Sequence, residues 1–164
     1  MRVIFLDIDG CLVTARAMRI ARELRTPGPL TNLNKCFDED CVNVLNRFIE
    51  ASGAKVVVSS TWRIGQTIAS MQDIMNKNKV KCEVIGLTGF DKDGIRGLEI
   101  WEWLLSNKGK WDDYLVIDDD SRDLVDYIPE RKFVHVSNGL MGKGLQEDHL
   151  RSRKWPHWAI NVAP

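Results

Sequence analysis

The chain has 164 residues, of which 44% are hydrophobic and 28% charged, the size and make-up of one globular domain with a substantial core. Lysine plus arginine match aspartate plus glutamate at 23 each, which excludes a whole-molecule field that would draw nucleic acid or an acidic membrane surface, while leaving local patches open. No apolar stretch approaches the length that spans a bilayer, and the run near the N-terminus is too short for a secretory signal.

Val3 to Leu6 is a short, unbroken apolar run, the pattern of a strand buried on both faces of a parallel sheet. It ends in Asp7-Ile8-Asp9-Gly10. Residues 13–37 follow as a loop or small insertion, with Thr26-Pro27-Gly28-Pro29 and with Arg16, Arg19, Arg22 and Arg25 at three-residue spacing. Val42, Leu45, Phe48 and Ile49 form a helical stripe, stopped by Gly53. Lys55 to Val58 is a second buried strand and leads into Ser59-Ser60-Thr61. Ile68, Met71, Ile74 and Met75 predict another helix, Cys82 to Ile85 a third strand, and Leu98, Trp101, Leu104 and Leu105 a further helical stripe. Tyr114 to Ile117, again unbroken, ends in Asp118-Asp119-Asp120. A short helix is expected over Leu124 to Ile128, closed by Pro129, and a fifth strand over Lys132 to Val136. Strands alternating with helices imply right-handed crossovers and an α/β three-layer sandwich around a parallel five-stranded sheet. The whole of 1–164 reads as a single domain, with 13–37 a small lid or insertion within it.

Cys11, Cys36, Cys41 and Cys82 form no CxxC pair and have no histidine at zinc-site spacing, which predicts reduced thiols in a cytoplasmic protein. His135, His149 and His157 show no ligand spacing and are read as non-catalytic.

Open α/β sheets place their ligands beyond the carboxyl ends of the strands. The residues just past Leu6 and Ile117 therefore carry the most weight. Two carboxylate clusters at one sheet edge repel: at an effective dielectric of about 20, like charges 4 Å apart cost roughly 4 kcal/mol. A hard divalent cation removes that cost, and magnesium suits carboxylates combined with a phosphate oxygen. Asp120 and Asp123 are equally well explained as turn or cap residues.

Phe5-Leu6-Asp7-Ile8-Asp9-Gly10-Cys11-Leu12 resembles the first motif of the haloacid dehalogenase (HAD) superfamily, an apolar strand followed by DxDGxL. Val56-Val57-Val58-Ser59 resembles the second motif, Arg96 the basic third, and Val116-Ile117-Asp118-Asp119 the acidic fourth, in the family's order. Ser59-Ser60-Thr61-Trp62-Arg63, Thr88, Arg96-Gly97-Leu98-Glu99-Ile100 and the Asp-Asp-Asp run are similar to the small HAD domains of Swiss Army Knife RNA-repair proteins. The resemblance implies a Rossmannoid HAD-like fold and a magnesium-dependent phosphomonoesterase that works through an aspartyl-phosphate. It makes Asp7 the nucleophile and Asp9 the general acid and base. Ser59 and Arg96 would hold and neutralise the transferring phosphoryl group, with Ser60 and Thr61 contending for the same contacts. Mg2+ would be held by Asp7, the main-chain carbonyl of Asp9 and Asp119, with Asp118 in support or as the direct ligand instead. Asp at position 9 favours phosphate-ester hydrolysis, because the ATPase and phosphonatase branches carry other residues there.

The interval from Ser59 to Arg96 is used up by a helix and a strand, so a large cap does not fit. An open site suits a large substrate such as a polynucleotide end or a protein, and a nucleotide can also enter. Arg16 and Arg19 are expected to bind substrate phosphates if their segment is helical, the alternative being a solvated helix face. Arg151, Arg153, Lys154, Trp155 and Trp158 mix cations with stacking surfaces, as single-strand binders do; alternatively the tryptophans pack the tail onto the domain. The function expected is a phosphomonoesterase acting on a nucleic-acid end or a nucleotide. Its rivals are a protein phosphatase of the same fold and a module that holds a phosphorylated ligand without turnover.

Overall fold

A computed structural model describes residues 1–23, 36–137 and 139–151. Five strands, β1 (Arg2–Leu6), β2 (Lys55–Val58), β3 (Val84–Leu87), β4 (Asp113–Asp118) and β5 (Phe133–His135), form one sheet in the order β3-β2-β1-β4-β5. Every neighbouring pair is parallel. The chain builds from β1 through β2 to β3, then returns to the other side of β1 for β4 and β5. The strand order therefore reverses between β1 and β4, which opens a crevice at their carboxyl ends.

The helices are α1 (Ala15–Glu23), α2 (Glu39–Ser52), α3 (Ile68–Lys77), α4 (Arg96–Ser106) and α5 (Glu147–Leu150). Side chains alternate along each strand and divide the core between two faces. Ile4, Leu6, Val56, Val58, Leu115 and Ile117 pack with α2 and α3 through Leu45, Phe48, Met71 and Met75. Val3, Phe5, Val57 and Val116 pack with Ile100 and Leu104 of α4. This is the expected three-layer α/β sandwich, and it accounts for the unbroken apolar runs: both sides of each central strand are covered.

Local chemistry sets the helix ends. Asp38 caps α2 by accepting the Asp40 N–H at 3.2 Å, and Gly53, at φ 64°, ends it with an N–H to the Ile49 carbonyl at 2.8 Å. Thr67 and Ser70 form a reciprocal capping box at the start of α3. No side chain caps α4; the Gly97 N–H donates instead to the Asp123 carbonyl at 3.2 Å. A Cβ at position 97 would run into Tyr127 and that same carbonyl, so only glycine lets the loop beyond β4 dock on the first turn of α4.

Three elements differ from expectation. β3 starts two residues later than the Cys82 to Ile85 run suggests, and its pairing with β2 slips between Val56↔Val84 and Val57↔Gly86. Gly86 is accommodated there because the Trp103 indole sits where a side chain would go. The buried face of α4 is also turned: Gly97, Glu99, Ile100 and Leu104 point inward, while Trp101 and Leu105 are 39% and 63% exposed. Leu124 to Ile128 forms turns rather than a helix, with Leu124 and Val125 both donating to the Ser121 carbonyl. Pro129 has no N–H with which to extend it.

None of the four cysteines, all of them among the described residues, forms a disulfide. No helix among the described residues is long and apolar enough to cross a membrane. The turned face of α4 is testable by urea unfolding. Ile100→Ala should cost about 2–5 kcal/mol, and Leu105→Ala should stay within about 0.5 kcal/mol; equal costs would contradict the assignment.

Candidate active site

Pairing continues one residue past each strand, and this sets the site. The Asp7 N–H donates to the Ile117 carbonyl at 2.9 Å, the Ser59 N–H to Leu6 at 3.1 Å, and the Thr88 N–H to Val58 at 3.1 Å. Asp7 and Asp118 thus stand side by side at the reversal point. Each follows two residues after a side chain that faces α4, Phe5 and Val116, so both carboxylates lie on the α4 side.

Arg96, the first residue of α4, meets them there. Its Nη1 donates to Asp118 Oδ2 at 2.6 Å and lies 3.4 Å from Asp7 Oδ1. The other Asp118 oxygen accepts the Asp120 N–H at 2.9 Å. Asp119 completes a triad, one oxygen from each of Asp7, Asp118 and Asp119 lying within 4.8 Å of the others. Two glycines make room for Asp119: a Cβ on Gly10 (φ 75°) or Gly139 (φ 48°) would collide with its carboxylate. The Asp119 carbonyl is 3.0 Å from the His135 Nε2.

Burial raises Asp7 to about 7, with Asp118 adding to the rise and Arg96 and Ser60 opposing it. Burial also raises Asp118 to about 6, against the pull of Arg96. Asp119 moves upward too, chiefly by burial. Burial works against the Arg96 charge, but Asp118 and Asp7 outweigh it and hold the guanidinium fully protonated. Once ionised, three carboxylates facing one guanidinium leave two negative charges uncompensated, the charge of one divalent cation. An all-oxygen donor set this compact fits a hard ion such as Mg2+. Burial, and then the charges of Asp7, Asp118 and Asp119, push the Cys11 thiol well up, so no thiolate competes as a nucleophile.

The loop Ile8–Val13 closes on itself: Leu12 and Val13 both donate to the Ile8 carbonyl, at 2.8 and 2.9 Å, and Gly10 donates to Val13 at 2.9 Å. Within it the half-buried Asp9 accepts the Trp62 indole N–H on Oδ2 at 3.0 Å. Trp62 in turn stands edge-on to Phe37, centroid to centroid 5.5 Å. The Ser60 hydroxyl accepts the Trp62 N–H at 3.5 Å, and its side chain favours the ionised form of Asp7.

The family described as "HAD domain in Swiss Army Knife RNA repair proteins" matches residues 3–150. The chain belongs to that family. A solved structure, a haloacid dehalogenase-like family hydrolase from Streptococcus pneumoniae, is similar at 16% identity and a TM-score of 0.47, over 98% of this chain and 95% of that one. No curated protein matches the chain.

In this HAD domain the structure brings Asp7, Asp118, Asp119, Arg96 and Ser60 together, with Asp9 held on the adjoining loop. The serine whose side chain lowers Asp7 is Ser60. The Ser59 hydroxyl is fully buried and, like that of Thr88, has no hydrogen-bond partner among the described residues. Thr61 is exposed on the 3-10 turn Thr61–Arg63. Arg16 does not stand free for a substrate: it donates to Asp38 at 3.0 Å and to Asp40 at 2.5 Å, tying the start of α1 to the start of α2. Arg19 is 72% exposed, 3.9 Å from Glu23. Arg151 pairs with Glu147 at 3.0 Å, while Arg25, Arg153, Lys154, Trp155, His157 and Trp158 lie outside the described residues. Asp120 is a turn residue whose Oδ1 accepts the Arg122 N–H at 3.0 Å.

Sequence reasoning gave no role to Trp62, Arg63 or Glu99. The available signal was Glu99 itself, a charge amid the apolar residues of α4, because a buried charge requires a partner. That partner is Arg63, at 2.6 Å.

The raised carboxylates make metal-free stability depend on pH. Between the usual carboxylate value of about 4 and about 7, the folded HAD domain holds more protons than the unfolded chain, so its stability falls as pH rises. His149, lowered by burial, acts in the opposite direction, its contribution being lost as pH falls. Melting of chelator-treated protein should therefore show a loss of stability from about pH 5 to about pH 8 that shrinks in Asp118→Asn. An unaltered pH slope in the variant would contradict the carboxylate assignment.

Proposed function

We propose that this domain is a magnesium-dependent phosphomonoesterase that works through an aspartyl-phosphate and acts on a nucleic-acid end or a nucleotide. The observation that carries the reading is the convergence of Asp7, Asp118 and Asp119 within 4.8 Å, with Arg96 spanning Asp7 and Asp118.

Asp7, Asp119 and the main-chain carbonyl of Asp9 would hold the Mg2+, which would supply the positive charge that lets an anionic ester approach an anionic nucleophile. Asp118 already serves Arg96 and the Asp120 N–H, so it suits a supporting role better than that of direct ligand. The Asp7 carboxylate attacks phosphorus in line, and the bond from phosphorus to the leaving oxygen breaks as the new one forms. Asp9 gives its proton to the leaving oxygen. The Trp62 N–H occupies Oδ2 of Asp9 and leaves Oδ1 for that proton. Asp9, now ionised, takes a proton from water as the water oxygen attacks the same phosphorus, releasing orthophosphate and restoring Asp7. Ser60 takes the phosphoryl-contacting part first expected of Ser59, and Arg96 offsets the negative charge gathered around phosphorus. The sequence intervals around the site, too short for a large cap, and the family's occurrence in RNA-repair proteins support a polynucleotide end as substrate.

The test is phosphate release from an aryl phosphate and from a 3′-phosphorylated oligonucleotide, with and without Mg2+. Both substrates should turn over only with the metal. Asp7→Asn should abolish turnover, and Asp9→Asn should lower kcat by about 10²-fold or more. No release from any phosphate ester would overturn the proposal. Preference for phosphopeptides would point to a protein phosphatase, and tight nucleotide binding without release to a binding module.

A further inference from the structure

We propose that the buried Arg63–Glu99 pair is a positioning device for the phosphoryl-transfer site, anchoring the loops beyond β2 and β3 to the first turn of α4 and so fixing Ser60, Trp62 and Arg96 relative to one another. The inference rests on the phosphohydrolase reading above.

A guanidinium has five N–H donors, and Arg63 uses every one. Nε donates to the Thr88 carbonyl at 3.0 Å, and Nη1 to Ser59 and Ser60 at 2.8 and 3.0 Å. Nη2 donates to Gly89 at 2.9 Å and to Glu99 Oε2 at 2.6 Å. One planar group thus ties together four backbone carbonyls at the ends of two neighbouring strands. Glu99 extends the tie, its Oε1 accepting the Asp91 N–H at 3.3 Å. The two side chains are 4% and 5% exposed, and the Phe90 ring lies 4.7 Å from the guanidinium carbon. With no free donor and almost no exposure, Arg63 cannot bind substrate itself.

What the pair holds is the geometry of its neighbours. The 3-10 turn Thr61–Arg63 starts from Ser60, whose side chain favours the ionised form of Asp7, and includes Trp62, whose indole N–H donates to Asp9 at 3.0 Å. Arg63 anchors the end of that turn. Across the site, Glu99 sits three residues after Arg96, just under one helical turn, so a shift of α4 that kept Glu99 in place could not move Arg96 far. Arg96 is the cation on Asp7 and Asp118. Stability alone gives little reason for the arrangement, since a buried ion pair is seldom better than apolar packing of the same volume. A planar fork that fixes several acceptors at once is a reason, and lysine cannot reproduce it.

The full-length chain carrying Glu99→Gln or Arg63→Lys tests the proposal, with aryl phosphate and Mg2+, assayed well below each variant's melting temperature. Each variant should lose at least about tenfold in kcat, as supporting residues around a site typically do, while KM stays within about threefold. The double variant should be no worse than the poorer single one, because the two residues act as a unit. A lower melting temperature with wild-type kcat would show a merely structural pair and overturn the proposal. If either variant fails to fold, Glu99→Asp, which keeps the charge but shortens the reach, decides by the same kcat criterion. A wild-type chain inactive on every phosphate ester would sink the phosphohydrolase reading and this inference with it; an active wild type with unimpaired variants would sink this inference alone.

Discussion

The side-by-side placement of Asp7 and Asp118 where the strand order reverses is the constraint on which the rest of the structure depends. Parallel pairing of β1 with β4 fixes their spacing, and the alternation of side chains sends both to the α4 side. Burial then makes two adjacent negative charges costly, which is why both carboxylates rise well above their ordinary range. Arg96 relieves part of that cost from the start of α4, and Asp119 adds to it. A sheet edge built this way carries an electrostatic cost that a cation held among the three carboxylates would relieve.

Much of the remaining architecture serves to keep that cluster compact. Gly10 and Gly139 are bare where the Asp119 carboxylate lies, and Gly97 is bare where the loop after β4 meets α4. The Gly97 N–H closes on the Asp123 carbonyl, so the helix that brings Arg96 is tied to the loop that brings Asp119. Across the sheet, the turn after β2 carries Ser60 and Trp62 to Asp7 and Asp9. The site is therefore assembled from four separate chain segments, none of which places its side chains alone.

The fold was legible where burial on both faces leaves a plain mark. The unbroken runs Val3 to Leu6, Lys55 to Val58 and Tyr114 to Ile117 are all strands, and the acidic residues beyond the first and last of them converge as the sheet rules require. Legibility failed where tertiary contacts override the local pattern. The inner face of α4 includes a charge, Glu99, that only Arg63 makes tolerable, so an apolar stripe drawn through Trp101 and Leu105 misplaced it. The β3 register includes a slip past Ile85 that no periodicity reveals. Ser60 rather than Ser59 acts on the Asp7 carboxylate because the chain leaves the strand there and enters a 3-10 turn, where alternation no longer decides direction. Arg16 looked available for phosphate until its distant partners Asp38 and Asp40 were brought beside it.

Calorimetric titration with Mg2+ or Mn2+ near pH 6, in two buffers of different ionisation enthalpy, tests most directly whether the three carboxylates form one cation site. Raised carboxylates must lose protons to bind a metal. The expected result is one ion per chain, bound with proton release and lost in Asp119→Asn. No binding at millimolar metal, or binding of equal strength in the variant, would contradict it.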